Sequence, residues 1–148
     1  MEEITQNQNH SSRPQLLTVM AILSFIGSGL SLLSYLVISL KYEAVLQIVE
    51  TELSEIYPEM VADFIKEAGK TFFLIGAIAY SGSLYGVYKM WNLNKIGLHY
   101  YAISQIIILI LPLLFISTQL SILPGLLLTL LFILLYYRSF KMIESTKK

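Results

Sequence analysis

The stretch IGLHYYAISQIIILILPLLFI, residues 96–116, decides the fold. It contains no Asp, Glu, Lys or Arg. A helix of that length, rising about 1.5 Å per residue, crosses a hydrocarbon core of about 30 Å. A helix on a soluble core would carry a polar face, and this one carries only Ser104, Gln105 and the aromatic group at its start. Working outward, three further stretches meet the same condition: about residues 16–40, 71–88 and 120–137. The expected class is all-α, a polytopic membrane protein of four transmembrane helices with an amphipathic helical outer loop at about 43–67. Residues 1–15 read as a flexible cytoplasmic tail, 16–140 as the four-helix domain and 141–148 as a basic cytoplasmic tail.

Composition agrees with this reading. Of 148 residues 55% are hydrophobic and 14% charged, too apolar a balance for an ordinary soluble domain. Ten basic and ten acidic residues cancel, which gives no footprint for nucleic acid. Without cysteine there are no disulfides, thiolate zinc sites, iron–sulfur clusters or cysteine nucleophiles.

The distribution of charge sets a direction, because Lys and Arg near the spans are retained on the cytoplasmic side. Arg13, Lys89, Lys95, Arg138, Lys141, Lys147 and Lys148 fall on one side, and Lys41, Lys66 and Lys70 on the other. Both termini are therefore expected in the cytoplasm. Tyr88, Trp91, Tyr100, Tyr101, Tyr136 and Tyr137 fall at the same end, as expected of an interfacial aromatic belt. The first span follows a leader with Glu2, Glu3 and one Arg and reads as a retained anchor, not a signal peptide. The acceptor pattern Asn9-His10-Ser11 falls on the cytoplasmic side, where glycosylation does not occur.

Helices in lipid associate through close packing, which small residues permit. Ser24, Gly27, Ser28, Ser31 and Ser34 recur at three- and four-residue steps in the first span, and Gly76, Ala79, Gly82, Ser83 and Gly86 do so in the second. Ser24, Gly27, Ser31, Gly76, Gly82 and Gly86 are the expected helix-packing residues, with Gly82 and Gly86 placed against the first span. Spans three and four, built from large aliphatic residues, are expected to face lipid. Residues 117–119 read as a tight turn between them, and Pro112 and Pro124 as prolines tolerated near helix ends.

The first loop holds seven of the ten acidic residues. Among them Leu46, Val49, Leu53, Ile56, Met60 and Phe64 form one apolar helical stripe. Pro58 divides the segment into two helices and opens the second. An acidic polar face is the wrong sign for anionic headgroups, so the stripe is expected to cover the outer ends of the spans or a partner. The carboxylates lack the glycine-turned loop of a calcium site.

No ionisable residue falls inside a span, which withholds the usual mark of a transporter or pump. Gln105 and Ser104 read as interhelical hydrogen-bonding groups. His10 and His99 are the two histidines, too few for bis-histidine haem or a histidine metal cluster within one chain's membrane domain. No catalytic residue, metal or cofactor is expected. Asn92–Lys95 is too short for a phosphate-binding glycine loop.

Around the second short connection, Tyr85-Gly86, Met90-Trp91, Leu93, Lys95, Gly97 and Tyr101 form a pattern that resembles small, uncharacterised bacterial four-helix integral membrane proteins. The resemblance implies a bacterial inner membrane and the four-helix architecture, and it carries no activity. The loop layout is also similar to claudin-like tetraspan proteins, whose loop cysteines are missing here. The leading expectation is a non-enzymatic accessory, assembly or scaffold subunit acting through helix-helix and outer-loop contacts. A small oligomeric transporter or channel comes second and an intramembrane enzyme third. The partners expected are the lipid bilayer and either a membrane protein partner or a second copy of the chain, with no nucleic acid.

Overall fold

The structure, a computed structural model, describes residues 14–52, 59–116 and 123–146. Among these residues there are five helices: α1 Gln15–Leu40, α2 Tyr42–Thr51, α3 Glu59–Trp91, α4 Ile96–Phe115 and α5 Leu123–Thr146. Four of them, α1, α3, α4 and α5, contain segments long and apolar enough to cross a membrane. α5 continues through Thr146, so residues 141–146 of the expected tail belong to a helix. The expected turn at 117–119, together with Pro58, Leu53 and Ile56, lies outside the described residues.

α3 combines two expected elements. The second loop helix and the second span run as one, separated by a break at Gly69 with φ 68° and ψ 166°. That backbone region is almost closed to residues bearing a β-carbon. Space is not the constraint, since a β-carbon there would meet nothing within 4 Å. Gly69 therefore stops the loop helix and lets the span set off in a new direction.

The far end of α3 closes with a Schellman arrangement. Leu93 N–H donates to the Met90 carbonyl at 2.9 Å and Asn94 N–H to the Lys89 carbonyl at 2.9 Å, the paired bonds that satisfy a helix's last carbonyls. Leu93 occupies the left-handed position with φ 59°, where glycine is usual. Its side chain packs against the adjacent core cluster, which offsets a strain of about 1–2 kcal/mol.

α3 is the central helix. It packs along α1 on one side and α4 on the other, whereas α5 lies more sparsely along α1 and α4 and meets α3 through side chains at the basic end. Of the apolar segment of α3, 44% is buried, against 17% for each of α4 and α5. α4 and α5 thus leave most of their apolar surface outside the bundle.

Two cores lie at opposite ends. At the basic end Leu17, Met20, Ala21, Val87, Met90, Tyr101, Tyr136 and Phe140 cluster, drawn from all four long helices. At the other end Ile65, Ala68, Phe72, Phe73, Leu111 and Ile116 cluster. Leu46, Val49 and Phe64 of the loop stripe pack on this second cluster. α2 is also tied to α3 by the Tyr42 hydroxyl donating to the Ile65 carbonyl at 2.9 Å and by an ion pair between Lys66 and Glu50. The loop helices therefore form a lid over α1, α3 and α4.

The aromatic belt needs a correction. Tyr88, Tyr100 and Tyr137 are exposed, but Tyr136 and Tyr101 are buried, at 0% and 5% exposure. Their rings meet edge to face at 5.4 Å inside the bundle. A tyrosine near a helix end satisfies a headgroup or a buried hydroxyl equally well, and sequence position does not separate the two.

Candidate membrane-embedded site

Between the two cores, the four long helices enclose a cavity of about 350 Å³. Hydroxyls and one carboxamide reach it from every wall: Ser24, Ser28 and Ser31 from α1, Tyr80 from α3, Gln105 from α4 and Thr129 from α5. Leu23, Leu128 and Phe132 supply the apolar part of the lining. Gly27 of α1 and Leu128 of α5, both in the lining, are exposed.

The hydroxyls are there because three- and four-residue spacing sets Ser24, Ser28 and Ser31 on one side of α1. Ser28 Oγ lies 2.9 Å from Ser83 Oγ. The Gln105 amide donates to the same Ser83 oxygen at 3.1 Å, tying α1, α3 and α4 together, as expected for Gln105. Ser83 is fully buried and shares its oxygen between two partners. Tyr136 O–H donates to Ser24 Oγ at 2.9 Å, tying α5 to α1. Each such bond in a bilayer contributes about 0.6 kcal/mol on average, so their main effect is to fix which faces meet.

The glycines named from the sequence have different surroundings. A β-carbon on Gly86 would lie 2.6 Å from the Tyr101 backbone nitrogen and 2.8 Å from the Gly97 carbonyl oxygen. One on Gly82 would lie 2.6 Å from Ser104 Oγ. Both glycines therefore face α4, and the expectation that they pack on the first span is corrected. The connection Asn92–Lys95 holds the start of α4 against the end of α3, so the nearest helix in sequence takes this contact. Gly76 does face α1, where a β-carbon would overlap the Tyr35 ring. A β-carbon on Gly27 would meet nothing within 4 Å.

Gly97 is the residue that spacing alone missed. Its missing β-carbon admits the Gly86 carbonyl oxygen and, at 2.7 Å, the Met90 nitrogen. α3 and α4 thus touch backbone to backbone at a glycine pair. The signal in the sequence is the placement of one glycine on either side of a short connection.

Among the described residues, no member of the lid-end cluster lines the cavity. Tyr80 forms its wall on that side, and the Tyr80 ring packs on Tyr35 at 5.1 Å. Tyr35 in turn packs on Phe72 at 5.8 Å and Phe73 at 5.4 Å. His99 lines a separate cavity at the basic end, so the serines of the central cavity have no imidazole among their fellow lining residues. Among the described residues no group of three His, Asp or Glu side chains is placed to hold a metal. Of the loop stripe, Leu46, Val49 and Phe64 are packed in the lid, and the Met60 side chain lies outside the described residues. No protein-family model, no curated protein and no solved structure matches the chain.

Proposed function

We propose that this chain is a non-enzymatic integral membrane protein, an accessory, assembly or scaffold subunit that acts through its helix faces and its lid. The observation that carries the reading is the internal pairing of the buried polar groups. Ser83 bonds to both Ser28 and Gln105, and Tyr136 bonds to Ser24, while Tyr80 in the lining packs edge to face on Tyr35. A conduction path needs polar groups at successive depths that exchange partners with a passing solute. Here they fasten helices. The incomplete contact between α1 and α5 supplies a face for another transmembrane helix.

The charge asymmetry and the resemblance at residues 85–101 support a bacterial inner membrane, with both termini cytoplasmic and the lid outside. Reporter fusions at residue 148 and within residues 50–52 are expected to give opposite signals, and equal signals would overturn the orientation. Purification in mild detergent tests the role, with a stoichiometric membrane partner as the expected result. The second reading, a small oligomeric transporter or channel, draws on the hydroxyl-lined cavity itself. A homo-oligomer isolated without a partner, with solute flux in vesicles, would replace the first reading by this one.

A further inference from the structure

At the basic end, a second cavity of about 150 Å³ lies between the start of α4 and the last turns of α5. Lys95, His99, Tyr137 and Lys141 form its polar wall, and Leu98 and Phe140 its floor. Phe140 is buried, while the four polar residues are exposed. The backbone at the start of α4 contributes little, because its amides are already engaged. Ile96 N–H donates to Asn94 Oδ1 at 3.0 Å, Gly97 N–H to the Asn94 carbonyl at 3.1 Å and Leu98 N–H to the Lys95 carbonyl at 3.0 Å. The cavity's character therefore comes from side chains on two helices.

We propose that this cavity binds the phosphate ester of an anionic phospholipid. Two ammonium groups, an imidazole and a phenol surround a space with an apolar floor, the mixture that a phosphate joined to glycerol requires. Basic pockets between transmembrane helices suit anionic headgroups for this reason. A free phosphate has the same charge, but the surroundings favour the lipid. Below His99 on the same face of α4 come Ile103 and Ile107, and below Tyr137 on α5 come Leu134 and Leu130, all exposed. They lead from the cations along the apolar length of the helices, where acyl chains lie. α5 carries Arg138 and Lys141 against one acidic residue, so the sequence of its last turns is net positive.

The test titrates the full chain, in dodecylmaltoside micelles, with dioleoyl phosphatidylglycerol, dioleoyl phosphatidylcholine or inorganic phosphate. Melting temperature and the number of lipids retained in native mass spectrometry are read together. Lys95→Gln with Lys141→Gln is compared with Lys89→Gln with Arg138→Gln, which removes the same charge outside the cavity. Lys89 lies over the Tyr85 ring, 5.3 Å from its centroid. Phosphatidylglycerol is expected to stabilise the parent and the second variant alike, and to bind the first roughly tenfold or more weakly. Equal weakening in both variants would assign the effect to diffuse surface charge and overturn the site. Undiminished binding in the first variant would do so too. Stabilisation by inorganic phosphate equal to that by the lipid would overturn the lipid assignment. Lys89 lies over Tyr85 and Lys95 also has an interaction within the protein, so each variant's melting without lipid is measured first and the lipid-induced shift is read from that baseline.

Discussion

The seam between α3 and α4 and the seam between α1 and α5 are built on opposite plans. Where α3 meets α4, Gly86 and Gly97 let the two backbones touch, and Ser104 fills the notch over Gly82. Where α1 meets α5, contact is made by a long side chain, Tyr136, reaching Ser24, and further along the helices part around a cavity. The lid sharpens the difference. No residue of α5 belongs to the lid-end cluster, which joins α1, α2, α3 and α4. α5 is fastened mainly at the basic end, through Tyr136 and Phe140. Close packing substitutes in a bilayer for the hydrophobic effect, so the glycine seam holds the fold and the tyrosine seam positions one helix.

The largest effect is expected at the glycine seam. Gly86→Leu places a branched side chain against the Tyr101 nitrogen and the Gly97 carbonyl, backbone atoms that cannot move aside alone, at a cost of about 3 kcal/mol or more. Leu128→Ala, on the exposed face of α5, should leave the melting temperature nearly unchanged. If the two variants melt alike, the contrast between the seams is wrong.

The lid comes next. Leu46→Asp sets a charge against the cluster around Phe72 and Phe73 and should destabilise the purified chain by about 2 kcal/mol. If melting is unchanged and only co-purification of a partner is lost, the stripe docks a partner and does not close the bundle. Five positions before Leu46, at Lys41, the chain turns from α1 into α2 without a glycine or proline, so the lid's placement depends on this packing and not on a rigid corner.

Helix existence and the four apolar segments were legible because a bilayer demands about 20 apolar residues without charge, a condition visible in sequence alone. Leu46, Val49 and Phe64 of the lid stripe were legible for the same kind of reason, as a period, while Leu53, Ile56 and the Met60 side chain lie outside the described residues. Partners were not. Gly76, Gly82 and Gly86 belong to one row of small residues in the sequence, yet Gly76 meets α1 while Gly82 and Gly86 meet α4, because a central helix has neighbours on two sides and a row of small residues does not name what covers it. Tyr101 and Tyr136 were misplaced at the interface for a related reason: a phenol satisfies a buried serine as readily as a headgroup. Gly69 sat at the join of the loop helix and the second span, and its positive φ, not its size, is what the fold requires there.

A smaller effect is expected at the tyrosine seam. Tyr136→Phe keeps the ring and its contact with Tyr101 but removes the bond to Ser24, costing about 0.6–1 kcal/mol. Ser24 is then still bonded to the Tyr101 side chain, so adding Ser24→Ala should cost about as much again. A double variant as stable as Tyr136→Phe would show that Ser24 holds nothing besides Tyr136.

The smallest effect is expected at Gly27, and its sign is the informative part. Gly27 and Gly86 look alike in sequence, each in a row of small residues within an apolar helix. A β-carbon on Gly27 meets nothing within 4 Å, so Gly27→Ala adds no overlap in the isolated chain. It removes the backbone freedom that makes a mid-helix glycine unfavourable, and should raise stability by roughly 0.5 kcal/mol. The same substitution would act differently where another helix lies against this face of α1. In the membrane, a partner helix or a second copy seated at the opening between α1 and α5 would meet the added methyl, and association would weaken while the purified monomer gained stability. Melting temperature in detergent and association in vesicles, measured on this one variant, therefore separate the two possibilities. A gain in the first with no change in the second would leave the opening to lipid. A loss of stability in the monomer itself would mean that α1 and α5 approach more closely than the cavity between them implies, and the contrast between the two seams would fall with it.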